Sequence, residues 1–293
     1  MQMENTATGI SRDLLSERDF ARLSELIQSQ TGIKVTGAKK ALLESRLHKR
    51  LRELGMSGYG QYCDYLFSGE GMENELLNMI DAVSTHKTDF FREPDHFDFL
   101  AQHAVPALVR DYGAGTARNL TAWSAACSTG EEPYTIAMVL GEMKRLYRGF
   151  RYSVLATDIS PGVVKFAGHA VYKEERITPI PVSLREKYLL RSKDPAKKLF
   201  RITPELRALV RFGRVNIVED DYNFGEIPDI IFCRNVMIYF DRQTQEKLLG
   251  KLCRKLAPGG YMFLGHSESL CGINGRDLKK VGPSVYRKTD EAY

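Results

Sequence analysis

The run Asp229-Ile230-Ile231-Phe232-Cys233 is short, apolar and rich in β-branched residues, and it follows Pro228. That composition predicts a buried strand. The strand breaks abruptly into Arg234-Asn235, two polar groups at its carboxyl end. In an open α/β sheet this edge is where ligands bind. Gln243 to Leu256 then reads as a helix, which Pro258-Gly259-Gly260 stops. The same grammar runs through the chain from about Asp95. Helices are expected over His96–Tyr112, Glu131–Leu146 and Pro161–His169. Strands are expected over Asn119–Ala125, Tyr152–Thr157, Leu209–Val218, Gly260–Gly265 and Ser284–Lys288. Such alternation predicts an α/β fold, a doubly wound, mostly parallel sheet with helices on both faces.

Two regions depart from it. Ser16 to about Ser84 reads as all-helical. Asp19–Gln30 carries Phe20, Leu23, Leu26 and Ile27 at helical spacing, and Lys39–Leu54 carries Leu43, Leu47, Leu51 and Leu54. Tyr59–Phe67 and Glu73–Val83 add two shorter helices. Between Val171 and Ala208 the α/β pattern fails over a stretch too long for a plain connection, with Pro179, Pro181, Pro195 and Pro204 and a charged tip, so a small inserted subdomain is expected. The expected organisation is a helical domain over 13–84, a polar linker over 85–94 and an α/β domain over 95–293 that contains the insert 171–208.

Composition narrows the class. The 293 residues are 43% hydrophobic and 27% charged, ordinary for a globular protein. Met1 to Arg12 has no apolar signal-peptide core, and no run of about 18 apolar residues exists, so a cytoplasmic protein without membrane insertion is expected. Cys63, Cys127, Cys233, Cys253 and Cys271 form no CxxC pair and fit buried thiols in a reducing compartment. The histidines form no HxxxH or HxH pair, so no metal is expected. From Lys34 to Leu54 seven cations face two anions, an excess equal to the whole-chain net charge of +5. On a helical wheel Lys39, Arg46, Lys49 and Arg50 cluster beside the leucine stripe. This is either a docking patch for an acidic partner or a solvated helix face.

Three strand ends carry candidate chemistry. Trp123-Ser124-Ala125-Ala126-Cys127-Ser128-Thr129-Gly130-Glu131-Glu132-Pro133-Tyr134 reads as a strand, a turn of small residues and a helix start. Small side chains let a ligand approach the backbone, but a full GxGxxG is absent, which counts against a dinucleotide pyrophosphate. Glu131 and Glu132 would suit a ligand's ammonium group, or simply favour the helix dipole. Asp158 ends the next strand, where an acid can accept both hydroxyls of a ribose; alternatively it caps the helix after Ser160-Pro161. Asn216 ends a third strand, where its amide could meet an adenine amino group, or it is a turn residue.

These segments, with Phe232-Cys233-Arg234-Asn235-Val236-Met237-Ile238-Tyr239-Phe240, Gly265-His266-Ser267-Glu268 and Ser84-Thr85-His86-Lys87-Thr88-Asp89-Phe90-Phe91-Arg92-Glu93, resemble the signatures of CheR, the chemotaxis receptor methyltransferase family. The match extends over nearly the whole chain. The resemblance implies a class I methyltransferase-like sheet, an inserted antiparallel β subdomain, and transfer of a methyl group from S-adenosyl-L-methionine to glutamate side chains in the cytoplasmic helical region of chemoreceptors. It implies cofactor contacts from His86, Thr88, Arg92, Glu132, Asp158, Asn216, Ile217, Arg234 and Asn235. His86 stands where asparagine is expected. In some members the insert grips a receptor peptide through a glycine-bearing loop; here the tip Ser192 to Lys198 has no glycine.

A glutamate carboxylate, with an ordinary pKa of about 4.3, needs no base at neutral pH. Placement is then the main task, and Arg92 and Tyr239 are the catalytic candidates: a guanidinium fork to orient a carboxylate and a phenol to hold an oxygen or line the methyl path. Arg46, Lys49 and Arg50 are the candidate substrate-binding residues, and a monomer is expected. Two rivals differ in class. A nucleic-acid methyltransferase would use the basic helix on phosphates, but the Asn/Asp-Pro-Pro-aromatic motif is missing and no aromatics interleave the cations. A non-catalytic adaptor would not need Arg92, Asp158, Asn235 and Tyr239 together.

Overall fold

The computed structural model describes residues 14–218, 222, 224–268 and 277–289. Cys271, among the thiols expected to be buried, and the polar Met1–Arg12 segment lie outside the described residues. The chain divides into two compact units, Met1–Thr85 and His86–Tyr293. Among the described residues no helix is long and apolar enough to cross a membrane.

The first unit is helical: α1 (Glu17–Thr31), α2 (Lys40–Glu53), α3 (Tyr59–Leu66), α4 (Gly69–Asn74) and α5 (Leu76–Val83). Ser16 caps α1 by accepting from the Asp19 amide, and Gly32, in the left-handed region, ends it. Leu43, Leu47 and Leu51 of the expected stripe are buried on α2, while Leu54 follows the helix and is half-buried. The single helix expected over Glu73–Val83 is instead two, joined at Glu75. That carboxylate is buried, and it accepts from both Nε and Nη2 of Arg50, at 2.8 and 2.6 Å, and from Tyr62 at 3.1 Å. Nothing in the run Glu73-Asn74-Glu75-Leu76-Leu77 marks Glu75 as an interior ion-pair partner.

The second unit opens with α6 (Pro94–Phe99), a π-helical turn (Leu100–Ala104) and α7 (Val105–Tyr112). The helix expected here is present but not regular. Pro106 has no N–H to give to the preceding turn and its ring would crowd the Gln102 carbonyl, so the wider turn absorbs it. There follow β1 (Leu120–Ala125), α8 (Glu131–Glu142), β2 (Tyr152–Asp158) and α9 (Pro161–His169). The insert comprises β3 (Val171–Lys173), α10 (Glu174–Ile177), α11 (Val182–Tyr188), β4 (Leu189–Arg191), β5 (Leu199–Ile202) and α12 (Pro204–Arg207). The chain closes with β6 (Val210–Arg214), β7 (Ile230–Cys233), α13 (Arg242–Lys255), β8 (Tyr261–Leu264), β9 (Leu278–Gly282) and β10 (Val285–Lys288).

Seven strands form one sheet in the order β6-β2-β1-β7-β8-β10-β9. Its central strands are parallel, and β10 runs antiparallel to both β8 and β9. A second sheet, β3-β5-β4, is antiparallel and lies in the insert. β1 and β7 are buried throughout, and β7 accordingly reads as a continuous apolar run, while β1 also buries Thr121 and Ser124. Two expectations are corrected. The strand placed at Leu209–Val218 ends at Arg214, because the Asn216 side chain accepts from the Val218 amide at 3.2 Å and turns the chain. β9 was not expected. Its sequence Leu-Lys-Lys-Val-Gly lacks apolar alternation, and its exposed lysines mark a protected sheet edge.

Candidate active site

The strand order reverses between β1 and β7, and the carboxyl ends of β2, β1, β7 and β8 meet at that point, the crevice where open α/β sheets hold ligands. The turn after β1 is built for close approach. Ala126, Ser128 and Gly130 all have positive φ, at 60°, 51° and 96°. At Gly130 a side chain would also collide with Ala167 Cβ and the Tyr172 hydroxyl, each 2.8 Å from the Cβ position. Tyr172 donates to the Thr129 carbonyl at 2.8 Å. Arg176 forms an ion pair with fully buried Glu131 and hydrogen-bonds Thr129, so the insert fastens the turn from outside. Of the paired glutamates, Glu131 is thus structural.

Asp158 ends β2 and is 5% exposed. Its Oδ2 accepts from the Ser128 amide at 2.8 Å and its Oδ1 from the Ser160 amide at 3.1 Å. The cap of α9 is Ser160, which accepts from the Val163 amide, so Asp158 does not serve that role. A carboxylate offers about four acceptor positions, so a group in this place can serve a vicinal diol as well as backbone amides. Asn216 and Ile217 follow β6, both buried.

Arg234 is the hub of the opposite wall. Its guanidinium is 1% exposed, lies 3.0 Å from Glu93 and 3.4 Å from Glu132, and donates to the Arg92 carbonyl. The rings of Phe97 and Phe232 lie 5.5 and 5.9 Å from it. Glu132 Oε1 accepts from the Ser124 hydroxyl at 2.7 Å. Burial pushes its carboxyl up, and Arg234 and Ser124 pull it only part of the way back. For Glu93 the balance is opposite. Burial alone would raise it, but Arg234, the Asn235 amide and His266 together hold it below the ordinary carboxylate range. His96 is pushed down to about 4, by burial first and then by Arg234.

Asn235 takes φ 58° and hands its Nδ2 to Glu93 Oε1 at 3.1 Å. Beneath it Glu268 accepts from three backbone amides, Gly265, Asn235 and Met237, at 2.7–2.9 Å. Gly265 is required there, since a Cβ would lie 2.6 Å from Asn235 Nδ2. Sequence reasoning gave Glu268 no role beyond membership of the Gly265-His266-Ser267-Glu268 motif just after a strand end. Tyr239 is half-buried in the short 3-10 turn Met237–Tyr239.

Residues 86–94 pack within the second unit: Phe90 is buried with its ring 5.0 Å from Tyr172, and the His86 carbonyl accepts from the Ser128 hydroxyl. Thr88 is half-buried. Arg92, half-buried, donates to the Lys87 carbonyl at 3.0 Å and acts electrostatically on Glu132. His86, Thr88, Arg92, Glu132, Asp158, Asn216, Ile217, Arg234, Asn235 and Tyr239 all belong to the second unit. Arg46, Lys49 and Arg50 belong to the other. Arg46 donates to the Val83 carbonyl and to Thr85, Arg50 pairs with Glu75 and Glu53, and Lys49 alone of the three is exposed.

Models of two families match: CheR methyltransferase, SAM binding domain, over residues 86–286, and CheR methyltransferase, all-alpha domain, over residues 18–84. The chain belongs to the CheR methyltransferase family. It is 37% identical to the chemotaxis protein methyltransferase of Borreliella burgdorferi, covering 94% of this chain and 95% of that one. It is 38% identical to chemotaxis protein methyltransferase 2 of Pseudomonas aeruginosa, over 92% and 93% of the two chains. With the Escherichia coli chemotaxis protein methyltransferase the identity is 37%, over 93% and 91%. As a CheR protein it is a chemotaxis methyltransferase that uses S-adenosylmethionine. The site fits that cofactor: a buried carboxylate at the end of β2 and a small-residue turn with left-handed backbone at the end of β1.

Proposed function

We propose that the chain is a protein-glutamate O-methyltransferase that esterifies glutamate side chains in the cytoplasmic helical region of chemoreceptors, acting in the cytoplasm as a monomer. The reading rests on one observation above the others. A half-buried guanidinium, Arg92, donates to the Lys87 carbonyl and acts electrostatically on Glu132 at the ligand edge. Relatives named as chemotaxis protein methyltransferases align over both domains, which supports the same reading.

Bound S-adenosylmethionine supplies an electrophilic methyl group and leaves as S-adenosylhomocysteine. The protein's part is placement. Asp158 would take the ribose hydroxyls, Asn216 the adenine amino group, and Glu132 the ammonium. Arg92 would orient a carboxylate through paired N–H donors. Tyr239 would line the path to the incoming oxygen. An ionised carboxylate is already nucleophilic, so no residue needs to take up a proton, and alignment can supply roughly 7–11 kcal/mol of the barrier.

Transfer of label from S-adenosylmethionine to receptor-containing membranes, DNA and RNA tests the reading. Alkali-labile label on the receptor is the expected result; label on nucleic acid, or none on any acceptor, overturns it. In the same assay Arg92→Ala is expected to lower turnover by about 10²-fold or more, the scale of a misplaced reactant. Its unfolding midpoint should stay near the parent's, because Arg92 makes one side-chain hydrogen bond to an exposed segment. Normal turnover removes Arg92 from the mechanism.

The basic face of α2 would meet the acidic receptor helix. Arg46 and Arg50 hold their own unit together, so reversing them would confound docking with folding. Lys49 and Arg52, both exposed, make the cleaner pair. Changing both to glutamate is expected to raise the receptor KM several-fold and flatten its dependence on salt. Affinity for S-adenosylhomocysteine should not move. An unaltered KM at every ionic strength places docking elsewhere.

A further inference from the structure

Glu93, His96 and His266 converge beside the ligand edge, with Asp95 next to them. His96 is 1% exposed. Its Nε2 lies 3.2 Å from the Pro283 carbonyl oxygen, which can only accept, so Nε2 carries the proton and Nδ1 presents a lone pair. That lone pair faces Glu93 Oε2 at 3.4 Å. Both are buried acceptors, and neither receives a hydrogen bond; Arg234 approaches Oε2 at 3.0 Å without the alignment of one. Two acceptors aimed at each other inside a protein are unfavourable unless a proton, a water or a metal ion lies between them.

A third ligand is in reach. His266 Nε2 is 3.9 Å from Glu93 Oε2 and 3.0 Å from Asp95 Oδ2, and the rings of His96 and His266 are 4.9 Å apart. One donor atom each from Glu93, His96 and His266 lies within 4.8 Å of the others. Zinc bonds of about 2.0–2.2 Å to nitrogen and oxygen place tetrahedral ligands some 3.3–3.6 Å apart, so small side-chain shifts close the set. The His96 Nε2–H to a backbone carbonyl is the support that fixes the tautomer and orientation of a metal-bound imidazole. His266 and Asp95 are each 48% exposed and leave a way in from solvent.

We propose that Glu93, His96 and His266, completed by Asp95, form a binding site for a divalent transition-metal cation of the zinc type, and that filling it opposes cofactor binding. The donor set of two imidazoles and two carboxylates suits zinc better than magnesium or calcium, which take oxygen. The coupling runs through Glu93. Its Oε1 accepts from Asn235 and its Oε2 faces Arg234, both at the carboxyl end of β7. A cation that draws Oε2 toward the imidazoles weakens that hold. The spacing was invisible in sequence because His266 stands 170 residues from His96.

The test uses the full chain freed of metal by chelation and titrated calorimetrically with zinc chloride at neutral pH. One saturable site per chain is expected, weakened at least about tenfold in His266→Ala and in Asp95→Ala, whose side chains are exposed enough for the variants to fold. Cobalt(II) in place of zinc should give ligand-field absorption without a thiolate charge-transfer band, which separates this site from the five cysteines. Zinc should weaken S-adenosylhomocysteine binding in the parent and leave it unchanged in His266→Ala. Absence of saturable zinc binding, equal binding by His266→Ala, or a thiolate band overturns the site. Zinc binding that leaves cofactor affinity untouched overturns the coupling. None of these readouts depends on which acceptor is methylated.

Discussion

Asp158→Ala is expected to weaken S-adenosylhomocysteine binding by about 2–4 kcal/mol, roughly 30- to 1000-fold, the scale for losing two hydrogen bonds to a charged group. The variant also carries a cost in stability. Asp158 also satisfies the amides of Ser128 and Ser160, both buried. Orphaning a buried donor costs about 1–3 kcal/mol, so the variant should also unfold at lower denaturant. Asp158→Asn separates the two effects. Its remaining oxygen can keep one amide satisfied, while the neutral amide serves a diol poorly. Stability nearer the parent's with binding still impaired would locate the main role in the ligand. Calorimetric titration of both variants, alongside urea unfolding, is the measurement. Parent-like affinity in a folded Asp158→Ala would remove the ribose role.

The parallel sheet was readable because β1, β2, β7 and β8 are fully or largely buried, so that β7 and β8 are wholly apolar and β1 and β2 mostly so, each alternating with a helix. The candidates at the ends of β2 and β7 drew notice for the same reason, since Asp158 and Arg234-Asn235 stand directly at the end of buried strands. Lost to sequence was whatever depends on partners far along the chain. Arg50 read as part of a surface patch, yet Glu75, 25 residues on, takes it inward. Glu268 read as part of a motif without a task, although it holds the three amides beneath Asn235. Backbone strain was also silent. Of the eight described non-glycine residues with positive φ, five are Phe91, Glu93, Ala126, Ser128 and Asn235, all at the ligand edge. Such conformations cost of order 1–3 kcal/mol each and persist where the surroundings over-determine them, as Arg234, Glu268 and Asp158 do here.

Arg234→Met is expected to be the most destabilising single change at the site, by about 3–5 kcal/mol, because it strips the cation from two carboxylates and leaves them in an apolar setting. Phe97 and Phe232 flank the guanidinium and can still pack against the methionine, so the loss reports charge rather than volume. Adding Glu132→Gln should recover part of it. A double-mutant cycle with these two changes is expected to show a coupling of about 1–3 kcal/mol. The pH dependence has a definite sign. In the parent the Glu93 carboxyl is depressed, so its contribution is present above the unfolded carboxyl pKa and is lost as pH falls through the lower folded value. Glu132 is raised by burial, and without Arg234 nothing of comparable strength opposes that rise. The folded variant then binds a proton more readily than its unfolded chain, and gains stability as pH falls from neutrality toward the unfolded carboxyl range. Both effects narrow the gap between parent and variant in acid. Urea unfolding across that range would reject the ion-pair account if the gap stayed constant or widened, and a variant within 1 kcal/mol of the parent at neutral pH would show that Arg234 is not the hub of this wall.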